Sequence, residues 1–129
     1  MAPVLVDTNI ISFTLKGDTR RFAYEPHLTG KRACVAFMTV AELYRWAIQR
    51  NWGTVRTNRL LHELSQCVVL PYDDQLAWEW ARVTSIKGIP VESSDAWIAA
   101  TALRHGLPLI THNRRHFEQI PGLTVISEA

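Results

Sequence analysis

The chain has 129 residues, 47% of them hydrophobic and 20% charged, and this balance predicts a single globular domain over residues 1–129. The formal net charge of +2 is too small to indicate a nucleic-acid partner by itself, because such binding depends on local basic patches. The first residues lack the basic and apolar regions of a signal peptide, and no apolar run approaches the roughly 20 residues of a membrane helix, so a cytoplasmic protein is expected.

Short apolar strands alternate with helical segments along the chain. Residues 4–6 are wholly apolar, as expected for a strand buried on both faces of a sheet. A helix is predicted over 8–16, ending at Gly17, and a second short helix over 19–28, ending near Gly30. Further strands are predicted at 33–37, 67–70, 109–111 and 124–126. Cys34 and Cys67 would then be reduced thiols inside buried strands.

The helix that follows the second strand has the clearest pattern in the chain. Thr39 is its expected N-cap, and Glu42, three residues later, completes a capping box. Its apolar face should comprise five residues at helical spacing, namely Val40, Leu43, Tyr44, Ala47 and Ile48. Two further helices are predicted over 54–65 and 73–87.

The last long helix should be buried, because residues 96–103 are apolar nearly all round. Ser93 or Ser94 is expected to cap it, and the helix then extends from 95 to 105 and ends at Gly106. A single helical turn is predicted over 114–118. This alternation predicts an α/β fold of three layers (α/β/α), in which helices cover both faces of a short parallel sheet of four to five strands.

Three carboxylates fall where such a sheet places its functional site, beyond the carboxyl ends of the strands. Asp7 directly follows the first strand, whereas Glu42 and Asp95 each lie in the first turn of a predicted helix. Two carboxylates about 4 Å apart repel by ~4 kcal/mol at an effective dielectric constant near 20. No lysine or arginine lies within two residues of any of the three. A hard divalent cation, Mg²⁺ or Mn²⁺, would supply the missing positive charge.

Each of these acids also has a purely structural interpretation. Asp7 could form an ordinary N-cap cluster with Thr8 and Asn9, and Glu42 could be only the second half of its capping box. Asp95 could simply interact with the dipole of its helix. This last interpretation is the least satisfactory, because Asp95 begins a helix that is otherwise expected to be buried. The convergence of the three acids rests on the inferred topology.

Four stretches of the sequence resemble, in order, the motifs of PIN-domain ribonucleases. The first is VLVDTN at 4–9, an apolar strand followed by D-T-N. The second is FMTVAEL at 37–43, which resembles T-x-x-E, and the third is SDAWIAATA at 94–102, which resembles D-x-x-I-A-A-x-A. The fourth is LITHNRRHF at 109–117, similar to T-x-N-x-x-[D/E/H]-F. The match covers essentially the whole chain, and its compact length resembles the VapC toxin branch of type II VapBC toxin–antitoxin systems.

The resemblance implies a PIN-like fold and a metal-dependent endoribonuclease that cleaves RNA phosphodiester bonds. It assigns the catalytic, metal-binding role, with Mg²⁺ or Mn²⁺ as the cofactor, to Asp7, Glu42 and Asp95. It assigns a role in orienting these acids to Thr8, Asn9 and Thr111. The implied partners are an RNA substrate, a VapB-type antitoxin whose tail lies across the acidic groove, and a second copy that completes a homodimer.

The sequence departs from the commonest family pattern at His116, where many relatives have an acid. Histidine can bind a metal but adds no negative charge. We therefore expect one cation to bind firmly and a second to bind only when substrate is present. Asn113 is an alternative oxygen ligand, and His116 could instead pack against the protein or face solvent.

Basic and aromatic residues suggest where RNA or a protein partner could bind. Near the last motif, the residues expected to contact the RNA backbone are His112, Arg114 and Arg115. A second basic group is expected to be a solvated helix face: Arg45, Arg50, Arg56 and Arg59. Trp97 should be part of the core, whereas Trp46 or Trp52 could face a partner.

Two alternative functions follow from the same residues. Haloacid-dehalogenase-like phosphatases also place an aspartate after their first strand, but they need a D-x-D pair, and Asn9 disfavours this class. The second alternative is a degenerate PIN fold that binds RNA or antitoxin without cleaving. Only His116 supports it, whereas the intact set of Asp7, Glu42 and Asp95 argues against it.

Overall fold

The computed structural model describes all 129 residues, and its five strands form one parallel sheet in the order β3-β2-β1-β4-β5. The strands are β1 (Ala2–Val6), β2 (Lys31–Ala36), β3 (Val68–Leu70), β4 (Leu109–Ile110) and β5 (Val125–Ile126). The central β1 pairs with β2 on one side and β4 on the other. Because the chain order reverses at β1, the edge beyond Val6 and Ile110 is where a site is expected in this type of sheet.

Helices cover both faces of this sheet, as predicted. They are α1 (Thr8–Lys16), α2 (Glu25–Leu28), α3 (Phe37–Gln49), α4 (Thr54–Ser65), α5 (Asp74–Thr84), α6 (Ser93–His105) and α7 (Arg114–Phe117). Alternate residues of β1 enter different cores. Val4 and Val6 pack with α1, α3 and α4, whereas Leu5 packs with α5, α6 and α7. None of the helices combines the length and hydropathy needed to span a membrane.

The predicted helix caps are wrong at both helices that carry a predicted site acid. Helix α3 begins at Phe37 directly after β2, with Ala36 at the N-cap position and no side-chain cap. Thr39 is therefore inside the helix, and Glu42 lies in its second turn, so there is no capping box. Helix α6 likewise begins at Ser93, and its N-cap residue is Glu92, which makes no capping hydrogen bond through its side chain.

Three other expectations about helix and strand limits need correction. The segment predicted as one helix over 19–28 is a 3₁₀ helix (Thr19–Ala23) followed by the separate helix α2, which has Pro26 in its first turn. Helix α5 ends at Thr84 rather than near residue 87. Cys67 precedes β3 and is half-buried, because β3 lies at the edge of the sheet, where Val69 is exposed.

The predicted apolar face of α3 is only partly buried. Leu43 is fully buried, but Tyr44 is exposed and Ile48 is 76% exposed. Trp46 packs against the core in their place, with the Arg50 guanidinium 5.1 Å from the centre of its ring. On the other side of the sheet, Trp97 is half-buried rather than fully in the core.

Candidate active site

The carboxylate of Asp7 lies at the centre of the carboxyl edge of the sheet. Only 3% of the residue is exposed. Its Oδ1 accepts a hydrogen bond from the backbone N–H of Thr8 at 2.7 Å, so Asp7 does cap α1. Its Oδ2 accepts a hydrogen bond from the hydroxyl of Thr111, which follows β4, at 2.6 Å. The capping role explains the position of Asp7 but leaves its negative charge without a cationic partner.

Thr8 connects this centre to Glu42. Its Oγ1 is 2.9 Å from Glu42 Oε1 and 3.0 Å from Thr39 Oγ1. Because a hydroxyl carries one proton, Thr8 donates to the ionised carboxylate and accepts from Thr39. Thr39 is fully buried. The side chain expected to cap α3 instead helps to fix the contact between α1 and α3.

Asn9 connects Asp7 to the segment that follows β4. Its Nδ2 donates to Asp7 Oδ2 at 3.3 Å, and its Oδ1 accepts from the backbone N–H of His112 at 3.2 Å. Thr111 in turn accepts from the backbone N–H of Asn113 at 3.0 Å. The three residues expected to orient the acids, Thr8, Asn9 and Thr111, thus all contact Asp7 or Glu42 directly.

The three acids share an environment that opposes their negative charge. Burial is the main cause that raises the pKa of Asp7 from 3.8 to about 6; the charges of Asp95 and Glu42 act in the same direction, and the hydrogen bonds from Thr111 and Thr8 act against it. Burial is also the main cause that raises the pKa of Glu42 and of Asp95. None of the three forms an ion pair with lysine or arginine. The structure therefore brings the three acids to one edge with only partial compensation. Asp95 contacts His116 and the charge of Arg45 lowers the pKa of Glu42, whereas Asp7 has no basic partner.

His116 lies beside Asp95 at this edge. Its Nδ1 is 2.9 Å from Asp95 Oδ2, and an ionised carboxylate can only accept, so Nδ1 is the protonated ring nitrogen. The histidine side chain is 49% exposed and that of Asp95 is 16% exposed. Asn113 is exposed, and its side chain makes no hydrogen bond. Of the two additional ligand candidates, only His116 contacts one of the acids.

The three residues expected to contact RNA differ in how available they are. His112 is half-buried, and its ring packs edge-on against Phe13 and Tyr24. Arg114 donates a hydrogen bond to the carbonyl of Ser127 at 2.7 Å. Arg115 is exposed and has no partner within the protein, so it is the most available of the three.

The side chains at this edge carry the kind of donor atoms that bind a divalent cation, but they are not gathered close enough to surround one. No three of the acidic, histidine and cysteine side chains are close enough to form a ready-made ligand group. The available donors are carboxylate oxygens, which hard cations such as Mg²⁺ prefer. The buried and unbalanced charge of Asp7 is the feature that a cation would neutralise.

A family model described as the PIN domain matches residues 4–123 of this chain. The chain belongs to the PIN-domain family. It is 30% identical to the tRNA(fMet)-specific endonuclease VapC of Salmonella typhimurium, with 97% of each chain covered. It is 32% identical to ribonuclease VapC1 of Haemophilus influenzae, with 92% of each covered. At this identity and coverage the chain is a member of the VapC group of PIN domains.

Solved structures show the same relationship. A chain of VapBC-1 from nontypeable Haemophilus influenzae superposes with a TM-score of 0.81 at 27% identity, over 97% of both chains. A chain of the DNA-bound VapBC2 complex of Rickettsia felis gives a TM-score of 0.86 over 98% of this chain and 99% of its own. Its 17% identity shows only that the fold is shared. The predicted PIN-like α/β/α architecture is confirmed.

Two residues of this PIN domain escaped the sequence analysis. Glu92 contributes negative charge that raises the pKa of both Glu42 and Asp95. The sequence signal was its position three residues before Asp95. Tyr24 is fully buried, and its hydroxyl is 2.6 Å from His112 Nδ1 and accepts from the backbone N–H of Glu128 at 3.0 Å. No sequence motif indicated that contact.

Replacing Tyr24 by phenylalanine should destabilise the protein by about 1–3 kcal/mol, because two partly buried hydrogen bonds, each contributing about 0.5–1.5 kcal/mol, would be lost. The affected groups are the imidazole of His112 and the backbone N–H of Glu128. Urea unfolding followed by circular dichroism would measure this change. Tyr72→Phe is the matched control, since Tyr72 is exposed and its hydroxyl makes no hydrogen bond. Equal stability of Tyr24→Phe and wild type would show that these contacts contribute nothing.

Proposed function

We propose that this chain is the toxin of a type II toxin–antitoxin pair, an endoribonuclease that hydrolyses RNA phosphodiester bonds and is neutralised by a VapB-type antitoxin. The observation that carries the proposal is the buried carboxylate of Asp7, which has no basic partner and lies at the same sheet edge as Glu42 and Asp95. Membership of the VapC group supports the same activity, because its relatives are named ribonucleases and endonucleases.

We propose that Asp7, Glu42 and Asp95 hold Mg²⁺ or Mn²⁺. A bound cation of this kind activates the attacking water and offsets charge on the phosphoryl oxygens. The protein's own contribution is orientation. Thr111 and the backbone N–H of Thr8 fix the two oxygens of Asp7, and the Thr8 hydroxyl fixes one oxygen of Glu42. These contacts keep the carboxylates in one geometry although their mutual repulsion opposes it.

The remaining partners follow from the same assignment. Arg115 is proposed to contact the RNA backbone, because it is exposed and free beside Asp95. The solved VapBC complexes support a VapB-type antitoxin as the protein partner. We further propose that residues 1–129 form one PIN domain, that it forms a homodimer, and that it acts in the cytoplasm, where its RNA substrate would be.

The decisive experiment is cleavage of a labelled RNA mixture by the purified protein with Mg²⁺, with Mn²⁺ and with EDTA. We expect cleavage with either metal and none with EDTA. The variants Glu42→Gln and Asp95→Asn should each lose it, whereas Glu25→Gln, an exposed acid on α2, should cleave as wild type does. If the folded wild type binds RNA but never cleaves it, the non-catalytic alternative replaces this proposal.

Replacing Thr111 by valine should weaken Mn²⁺ binding and lower the cleavage rate, each by about 10- to 100-fold, because Asp7 would lose the hydroxyl that orients it. Valine nearly preserves the volume of this fully buried side chain. Calorimetric titration with Mn²⁺ measures the first effect and single-turnover cleavage the second. Thr101→Val is the control, since that buried hydroxyl donates to the backbone of its own helix. Unchanged metal affinity in Thr111→Val would contradict the orienting role.

A further inference from the structure

A small cavity of about 210 Å³ opens beside Asp95. It is lined by Pro90, Val91, Glu92, Asp95, Arg115 and His116. This volume is below the ~300–1,000 Å³ of pockets that hold drug-sized ligands, so the cavity suits a single planar group. Pro90 and Val91 provide an apolar wall, and the ring of His116 provides an aromatic one.

Two opposite charges line this cavity without pairing. Glu92 and Arg115 form no ion pair with each other or with any other side chain. Elsewhere on the surface the chain does form such pairs, for example between Arg82 and Glu79 at 2.6 Å and between Arg20 and Asp18 at 2.7 Å. A carboxylate can only accept hydrogen bonds and a guanidinium can only donate them. A ligand complementary to both must therefore present an anionic group and a hydrogen-bond donor edge.

A nucleotide unit of single-stranded RNA has this combination of groups. Its phosphate can bind Arg115. The face of its base can stack on the His116 imidazole or pack on Pro90 and Val91, and the edge of the base can then donate hydrogen bonds to Glu92. Among the four bases, guanine presents two adjacent donors, N1–H and N2–H₂, to the two oxygens of one carboxylate. A bidentate contact of this kind discriminates between bases more strongly than a single hydrogen bond.

We propose that this cavity is a base-recognition subsite next to the scissile phosphate, in which Glu92 selects guanine and Arg115 holds the adjoining phosphate. The inference rests on the proposed ribonuclease function and adds to it the base that flanks the cleaved bond. Glu92 is a specificity-determining residue here, and it takes no part in bond cleavage. Its negative charge acts on Glu42 and on Asp95, which places it at the same edge as the acids.

The test is single-turnover cleavage of short labelled RNAs that carry each of the four bases on either side of the cleaved bond. Wild type should cleave guanosine-containing RNA fastest at one of these two positions. Glu92→Gln should slow cleavage of that RNA by about tenfold and change the other three by less than about twofold. Arg115→Gln should slow all four RNAs to a similar extent, because a phosphate contact carries no base information.

Two controls separate this inference from the proposed function. Glu25→Gln removes the same charge outside the cavity and should keep the wild-type base profile. A Glu92→Gln protein with the wild-type profile, or a wild type without base preference at either position, would overturn the subsite while leaving the ribonuclease assignment intact. If wild type cleaves no RNA, the proposed function fails. Fluorescence anisotropy in EDTA with trinucleotides containing guanosine or uridine then decides the subsite separately.

Discussion

The variant Asp7→Asn is expected to lose RNA cleavage by at least about 10³-fold and, in the absence of metal, to be more stable than wild type. Loss of a catalytic carboxylate commonly has an effect of this size. The gain in stability follows from burial, because the ionised side chain is 3% exposed and has no cationic partner. A neutral amide removes that charge. An active-site residue that destabilises its own fold is the expected signature of a site built to bind a cation.

The expected direction of the stability change in Asp7→Asn follows from the pKa of Asp7. Its folded value of about 6 lies above the value of 3.8 for an unperturbed side chain. The folded protein therefore binds more protons than the unfolded chain between these two pH values, and this group stabilises the fold as pH falls from about 6 to about 4. At neutral pH the ionised group costs up to about 3 kcal/mol, which is the upper limit of the gain in Asp7→Asn.

The net gain should be smaller than this limit, because asparagine cannot accept all the hydrogen bonds that Asp7 accepts. The contact from the Thr8 backbone survives on the amide oxygen, whereas the amide nitrogen faces the donors Thr111 and Asn9. Thermal unfolding with EDTA at pH 7.5 and pH 5 measures the difference, which should shrink at the lower pH. Asp74→Asn, an exposed acid in the first turn of α5, is the control. A metal-free Asp7→Asn protein less stable than wild type at pH 7.5 would refute the argument.

The sequence predicted the layers of this fold because they depend on patterns that are local and strong. The apolar stretch before Asp7 has the pattern of a strand buried on both faces. Gly17 and Gly106 both end helices in the left-handed conformation that glycine adopts without strain. The alternation of strands with helices then fixed a parallel sheet. That topology predicts that Asp7, Glu42 and Asp95 meet at one edge of the sheet.

The errors occurred where tertiary contacts override local preference. Thr39 has the chemistry of an N-cap, but its hydroxyl contacts Thr8 on another helix, and α3 begins two residues earlier. Ile48 follows the apolar spacing of its helix but lies beyond the part that the core covers. Glu92 belongs to none of the four motifs, and its position three residues before Asp95 was too weak a signal to indicate that it lines a cavity with Asp95 and Arg115.

Replacing His116 by aspartate is expected to increase the affinity of the RNA-free protein for Mn²⁺ by about tenfold or more, or to create a second tight site. In wild type, the Nδ1 proton of His116 occupies one oxygen of Asp95 at 2.9 Å, and the imidazole adds no negative charge. The Oδ atoms of aspartate are as many bonds from the backbone as Nδ1, so the variant would place a second carboxylate oxygen beside Asp95. Repulsion between the two would then be relieved by a cation shared between them.

The matched control for this prediction is His116→Asn, which keeps a donor to Asp95 at a similar position but adds no charge. If the missing charge limits metal binding, His116→Asn should bind Mn²⁺ as wild type does, and only His116→Asp should differ. Calorimetric titration without RNA gives both the affinity for Mn²⁺ and the number of bound ions. His62→Asp adds a carboxylate on α4 and tests whether any added negative charge increases Mn²⁺ binding. Two tight ions in wild type would contradict the prediction directly, because four carboxylates would then be unnecessary. Equal gains in His116→Asp and His116→Asn would instead show that release of Asp95 from its hydrogen bond to the histidine, rather than added charge, governs the affinity.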